Sequence, residues 1–170
     1  LGDWHYNNSV YERNGYKSAH TVAKLLVDIV SKNGNMLLSV PLRADGTPDE
    51  KELAIMKEFG AWMKVNSEAI VKTRPWKVFG EGPIANADIK INAQGFNDGQ
   101  YSKAGAKEIR FTQTDKHLYV TALAWPDNGT ISVSLATAGR IAVYDLTGRL
   151  IAQTYGKAGA NTLSVAQRQV

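Results

Sequence analysis

The sequence predicts two kinds of structure in one chain, an α/β part followed by an all-β part. Three observations carry that expectation. Apolar residues recur at helical spacing over residues 17–32 and again over 47–66. A continuous apolar run of strand length, residues 36–42, lies between them. After Trp76 the pattern changes to short β-rich segments separated by turn residues.

In "KSAHTVAKLLVDIVSK" (17–32), Val22, Leu25, Leu26, Ile29 and Val30 fall at three- and four-residue spacings, one face of an amphipathic helix. Asn33-Gly34 supplies the left-handed residues that stop it. The run "MLLSVPL" reads as a strand covered on both faces. In "TPDE", Thr47 is the expected N-cap, Pro48 the first helical residue and Glu50 the partner in a capping box. Leu53, Met56, Phe59, Gly60 and Met63 continue the stripe of this helix, which ends near Asn66. Helix, strand, helix is the order of βα units around a parallel sheet.

"PWKVFGEGPIANA" reads as a linker because of its prolines and glycines. Beyond it, "DIKIN", "EIRFTQT", "HLYVTALAW", "TISVSL", "RIAVYDL" and "RLIAQTY" are candidate strands, divided by "TDK", "PDNG", "ATAG" and "LTG". They predict an antiparallel β-sandwich without helices. The expected domains are therefore residues 1–76 and 77–170. Two βα units fall far short of the eight strands of a closed barrel, so further sequence is expected upstream.

Composition excludes several function classes. Residues 1–76 hold ten Lys/Arg and nine Asp/Glu, and residues 77–170 hold ten and seven, so the net charge of +4 is spread without a basic run. No aromatic-basic interleaving marks a nucleic-acid surface, and nucleic acid is not an expected partner. No apolar run reaches the length of a membrane span. The chain has no cysteine, which removes disulfides, thiolate metal sites and a cysteine nucleophile.

His5, His20 and His117 stand at no metal-ligand spacing, so neither a metal nor a cofactor is expected, and His20 and His117 read as structural. There is no Gly-x-Ser-x-Gly elbow and no phosphate-cradling glycine loop. A glycosidase needs two carboxyls across the scissile bond. Here Asp45, Asp49 and Glu50 are explained by a turn and a helix cap, and Glu52 and Glu58 by a solvated helix face. Asp3, beside Trp4, is the one acid left open. "GDWHYNN" (2–8) crowds aromatic and amide groups into seven positions. Trp4 and Tyr6 offer flat apolar faces for a sugar ring, while His5 and Asn7 offer directional hydrogen bonds. A loop whose aromatics pack on the body of the domain explains the same composition equally well.

Taken together, "DWHYN" and "YKSAHTVAKLLVDIVSKNGNMLLSVPLRADGTPDEKELAIMKEFGAWMKVNSEAIVKTRPW" closely resemble the end of the catalytic domain of α-L-fucosidases, glycoside hydrolase family 29. The resemblance covers residues 2–82. Its most specific parts are Trp-x-Tyr-Asn, "VSKNGNMLLSV", "GAWMKVNSEAI" and "RPW", and "EIRFTQTDKHLYVTALAWPDNGTISVSL" is similar to the C-terminal sandwich of that family. It implies the last βα elements of a (β/α) barrel followed by an antiparallel β-sandwich. The implied chemistry is retaining hydrolysis of terminal α-linked L-fucose on a fucosylated glycan, by an aspartate nucleophile and a glutamate acid/base. Both carboxylates are expected upstream of Leu1, in an N-terminal part of the same enzyme, so no residue here is assigned as catalytic and this chain alone is expected to be inactive.

The resemblance places Trp4, His5, Tyr6 and Asn7 near the sugar pocket. Barrel active sites lie at the C-terminal ends of strands, which puts Arg43 on the substrate side; an ion pair with Asp45 or Asp49 is the competing role. Ser39 and Pro41-Leu42 stand where many members have an asparagine followed by Gly-Pro, which leaves the family role of that loop open. "GRIAVYDLTGRLIAQTYGKAGANTLSV" is similar to C-terminal modules of exported Bacteroidetes proteins, implying a bacterial enzyme that is secreted or periplasmic, with further sequence after Val170. The alternative function is a non-catalytic carbohydrate-binding or support module, for which the rings to watch are Phe111, Tyr119 and Trp125.

Overall fold

The computed structural model describes residues 1–85, 87, 105, 107–145 and 147–165. Three α-helices come first, α1 (Asn8–Glu12), α2 (Ala19–Ser31) and α3 (Glu50–Asn66), followed by a 3-10 turn at Ser67–Ala69. Seven strands follow: β1 (Arg74–Glu81), β2 (Ile109–Gln113), β3 (Leu118–Ala122), β4 (Thr130–Leu135), β5 (Gly139–Tyr144), β6 (Leu150–Gly156) and β7 (Gly159–Ser164). All pairings are antiparallel, in three sheets ordered β1-β2-β3, β4-β7 and β5-β6. Five of the expected strand segments appear as β2 to β6, and "DIKIN" lies outside the described residues.

Four expectations are corrected. Residues 36–42 are extended but form no strand, because no strand among the described residues pairs with them, and Leu37 is 86 % exposed rather than covered. Residues 75–81 of the expected linker instead belong to β1, which among the described residues is the edge strand beside β2. Pro75 is tolerated at such an edge, opposite Thr112, and the pairing shifts register between Pro75 and Gly80. Gly80 is required by close approach, since a Cβ there would stand 2.5 Å from the Ile109 carbonyl oxygen. β7 was unforeseen; its glycine-rich start disguises a strand that pairs along its whole length with β4.

The third and fourth corrections concern the helices. α3 is capped by Asp49, whose side chain accepts from the Glu52 N–H at 2.8 Å. Thr47 is already engaged, its N–H and hydroxyl both donating to Asp45 Oδ1 at 3.0 and 2.7 Å in a turn completed by Gly46 at φ +82°. On α2 the deeply buried side is Ala19, Val22, Ala23, Val27, Asp28 and Ser31, while Leu25, Leu26, Ile29 and Val30 are only half-buried. The helix is apolar on more than one face, so the sequence pattern alone could not say which face meets the sheet.

α2 packs on β1 and β2 and against α3. Val27 meets Leu123 in a core closed by Trp62, Ile70 and Ile84, and Trp76 packs on Phe111 with ring centroids 5.1 Å apart. Through this contact runs a cluster of buried charges. The Arg110 guanidinium donates from Nε to Asp28 Oδ1 at 2.5 Å and from Nη1 to Glu108 Oε2 at 3.0 Å. Lys32 reaches the other Asp28 oxygen at 2.8 Å. The Phe79 ring lies between the two cations, 5.7 Å from Arg110 and 4.9 Å from Lys32.

Replacing one member of such a cluster leaves opposite charges buried without compensation. Arg110→Met is expected to destabilise the fold by about 3–5 kcal/mol, read from urea unfolding; a loss under about 1 kcal/mol would mean that the cluster is hydrated rather than buried.

Candidate functional site

The "GDWHYNN" loop is built by short-range hydrogen bonds. Asp3 accepts from the Trp4 N–H and from the Asn7 amide, both at 3.2 Å. Asn7 caps α1, its Oδ1 accepting from the Ser9 N–H at 3.0 Å and the Ser9 hydroxyl at 2.9 Å. The loop is seated against the extended segment 36–42: the Leu1 amino group donates to the Ser39 carbonyl, and the Ser39 hydroxyl to the Trp4 carbonyl at 3.4 Å. Thus the aromatic loop lies against the segment "MLLSVPLR".

Arg43 is clamped, but not by the partners expected. Its guanidinium donates to Glu50 Oε2 at 2.7 Å and lies 5.9 Å from the ring centroids of both Tyr6 and Tyr11. Asp45 and Asp49 are unavailable to it because one holds the turn at Thr47 and the other caps α3. The Tyr11 hydroxyl donates to Glu50 as well, and Lys51 donates to the Tyr11 carbonyl at 2.6 Å with its ammonium 4.2 Å from the Tyr11 ring.

Behind the loop lies a narrow crevice lined by His5, Tyr6, Asn7, Tyr16, Pro41 and Glu52. Tyr16 donates its hydroxyl to Asp49, and burial together with this bond raises its pKa. Glu52 is not on a solvated face, as the sequence suggested, but 1 % exposed. Of the five site residues named from the sequence, the structure brings Tyr6 and Arg43 into contact and puts His5, Tyr6 and Asn7 around the crevice. Trp4 stands apart, 61 % exposed.

Tyr11, Tyr16, Glu50 and Glu52 were missed as members of the constellation. One signal was available: Glu52 begins the series Glu52, Met56, Phe59, Met63 at i, i+4, i+7 and i+11, which puts it on the inward stripe of α3. The described residues hold no group of three or more His, Cys, Asp or Glu able to bind a metal, and no helix long and apolar enough to cross a membrane.

Glu50 and Glu52, two residues apart, are pushed in opposite directions. Hydrogen bonds from Tyr11 and Arg43 bring the Glu50 carboxyl down to about 2. Burial, then the Asp49 carboxylate, raise Glu52, against the opposing pull of the Leu1 amino group and Arg43. Folding therefore takes up a proton at Glu52 above the ordinary glutamate range and releases one at Glu50 below it. Carboxyl-carbon NMR is expected to show Glu50 titrating near 2 and Glu52 above 4.5. Stability contributed at Glu50 is present above pH 4.5 and lost as pH falls toward 2, while stability declines at Glu52 as pH rises above 4.5, a decline that Glu52→Gln should remove.

Comparison with known proteins falls on these same residues. The α-L-fucosidase family model matches residues 2–68. The human plasma α-L-fucosidase is 36 % identical over 116 residues, covering 68 % of this chain and 21 % of that enzyme. Among solved structures, the Thermotoga maritima α-L-fucosynthase superposes with a TM-score of 0.66 at 22 % identity, over 96 % of this chain and 33 % of its own. A Bacteroides thetaiotaomicron α-L-fucosidase of family GH29 gives 0.59 at 20 %, over 98 % and 32 %. The chain spans about a fifth to a quarter of the length of the curated relatives it matches. The two structures show a shared fold, and the sequence match shows that the chain belongs to the α-L-fucosidase family, as a C-terminal part of one such enzyme.

Proposed function

We propose that this chain is the C-terminal portion of a retaining α-L-fucosidase that removes terminal α-linked L-fucose from glycans. Residues 1–76 would form the last βα elements of its (β/α) barrel and one wall of the sugar site, and residues 77–170 its β-sandwich. The observation that carries this reading is that the family match over residues 2–68 contains the loop, Arg43, and both glutamates of the constellation. Trp4, His5 and Tyr6 present apolar faces and hydrogen-bonding tips to a pyranose, with Asn7 setting the loop's exit into α1 and Arg43 holding Tyr6.

Hydrolysis with retention needs a nucleophilic carboxylate and a carboxylic acid about 5 Å apart across the bond. Of the acids near the loop, Asp3 ties the loop, Asp49 caps α3 and Glu50 pairs with Arg43, which leaves the buried Glu52, one carboxyl where two are needed. The reactive pair is therefore assigned to the N-terminal part of the enzyme. Exposure of Leu37, Leu42 and Trp4 supports that part as the partner covering this side. In the sandwich, Phe111 is buried and Tyr119 donates to Glu68 at 2.6 Å, which favours bracing over glycan binding; Trp125 is exposed. The similarity of the final segment to exported bacterial modules supports a secreted or periplasmic enzyme.

A chromogenic α-L-fucoside is expected to be hydrolysed by a protein that joins this chain to the upstream sequence, and not by the 170-residue chain alone. Turnover by the chain alone would place a catalytic acid here, Asp3 first, and overturn the assignment. In the longer protein, Trp4→Ala should raise KM about ten-fold, the worth of one ring contact.

A further inference from the structure

Among the described residues, Glu52 is the side chain buried with its whole polar group unpartnered: neither carboxylate oxygen has a hydrogen bond. Burying a carboxylate in this way is costly and calls for a reason in the function of the site. Capping does not supply one, because Asp49 caps the helix. Metal binding does not either. The crevice beside Glu52 is too narrow to admit a water molecule, so its acceptor must be met by a lining side chain.

The donors around the crevice are few. Tyr16 gives its proton to Asp49, and Asn7 gives one of its two amide N–H groups to Asp3 while its Oδ1 is held by Ser9. The Tyr6 hydroxyl belongs to a side chain that lines the crevice, and its O–H proton is available for donation. His5 is exposed, whereas Tyr6 is half-buried and already held on its other side by Arg43.

We propose that Glu52 is a positioning residue of the sugar-facing loop: when a fucoside is bound, the Tyr6 hydroxyl, which lines the same crevice, donates to Glu52. The link completes a series from Glu50 through Arg43 and Tyr6 to Glu52, anchored at both ends in the first turn of α3. Tyr6 is then gripped from two sides, and its ring is fixed where it meets the sugar. This inference rests on the fucosidase reading.

The test is a double-mutant cycle in the longer, active protein, with Tyr6→Phe, Glu52→Met and both together, and with Glu52→Gln as the variant that keeps an accepting oxygen. Glu52→Met and Tyr6→Phe should each raise KM for an α-L-fucoside about ten-fold with kcat little changed, and the pair should be no worse than either alone. Glu52→Gln should recover most of the loss. Because an unpaired buried carboxylate is removed, Glu52→Met should also raise the melting temperature by about 3 °C, the opposite of what a structural residue would do. Additive losses, or a Glu52→Met protein that melts lower or fails to fold, would overturn the inference while leaving the fucosidase assignment standing. A wild-type protein without turnover would overturn both.

Discussion

The guanidinium of Arg110 is the contact on which the rest of the molecule depends. It sits wholly buried on β2, yet its ionic partners come from two directions, Asp28 on α2 and Glu108 just ahead of its own strand. Glu108 in turn receives the backbone N–H groups of Ile84 and Ala85 at 2.5 and 3.3 Å, so the chain leaving β1 is held by the same charges. With Lys32 added, two cations face two carboxylates, and burial is tolerable because the sum is neutral. Hydrophobic packing at Val27 and Leu123 is not directional; the ionic contact specifies which turn of α2 meets which residue of β2.

From that fixed helix the site is assembled by short links. α2 supports α3, α3 presents Asp49, Glu50 and Glu52 in its first turn, and these three acids take different roles because their surroundings differ. Asp49 lies at the helix end and accepts backbone and tyrosine donors. Glu50 is solvated and satisfied by Arg43 and Tyr11. Glu52, one turn inward, is dry. A spacing of three residues on one helix thus separates a cap, an ion pair and a buried acid.

Much of this was legible in the sequence, and the failures have physical causes. Period and turn chemistry identified α2, α3 and the strands β2 to β6, because each is a local pattern. The strand expected at 36–42 is not formed among the described residues, because a strand is a relation between two segments and an apolar run specifies only one of them. β1 was hidden by Pro75 and Gly80, residues that commonly mark loops but here fit an edge and a close approach to Ile109. At the site, the loop at 2–8 was visible from its composition, whereas the Arg43–Glu50 pair required knowing that Thr47 was taken by Asp45. Competition for partners is settled in three dimensions and leaves little trace in spacing.

The irregularity of β1 bears on how the chain behaves in a crowded solution. An edge strand offers unpaired backbone groups to any other strand that can lie alongside. In β1, Pro75 withholds one donor, the slipped register between Pro75 and Gly80 bends the ladder, and Lys77 adds charge along it. A second copy aligning there would meet a broken template, so the features that disguised this strand in the sequence also make β1, an edge among the described residues, a poor partner for edge-to-edge pairing.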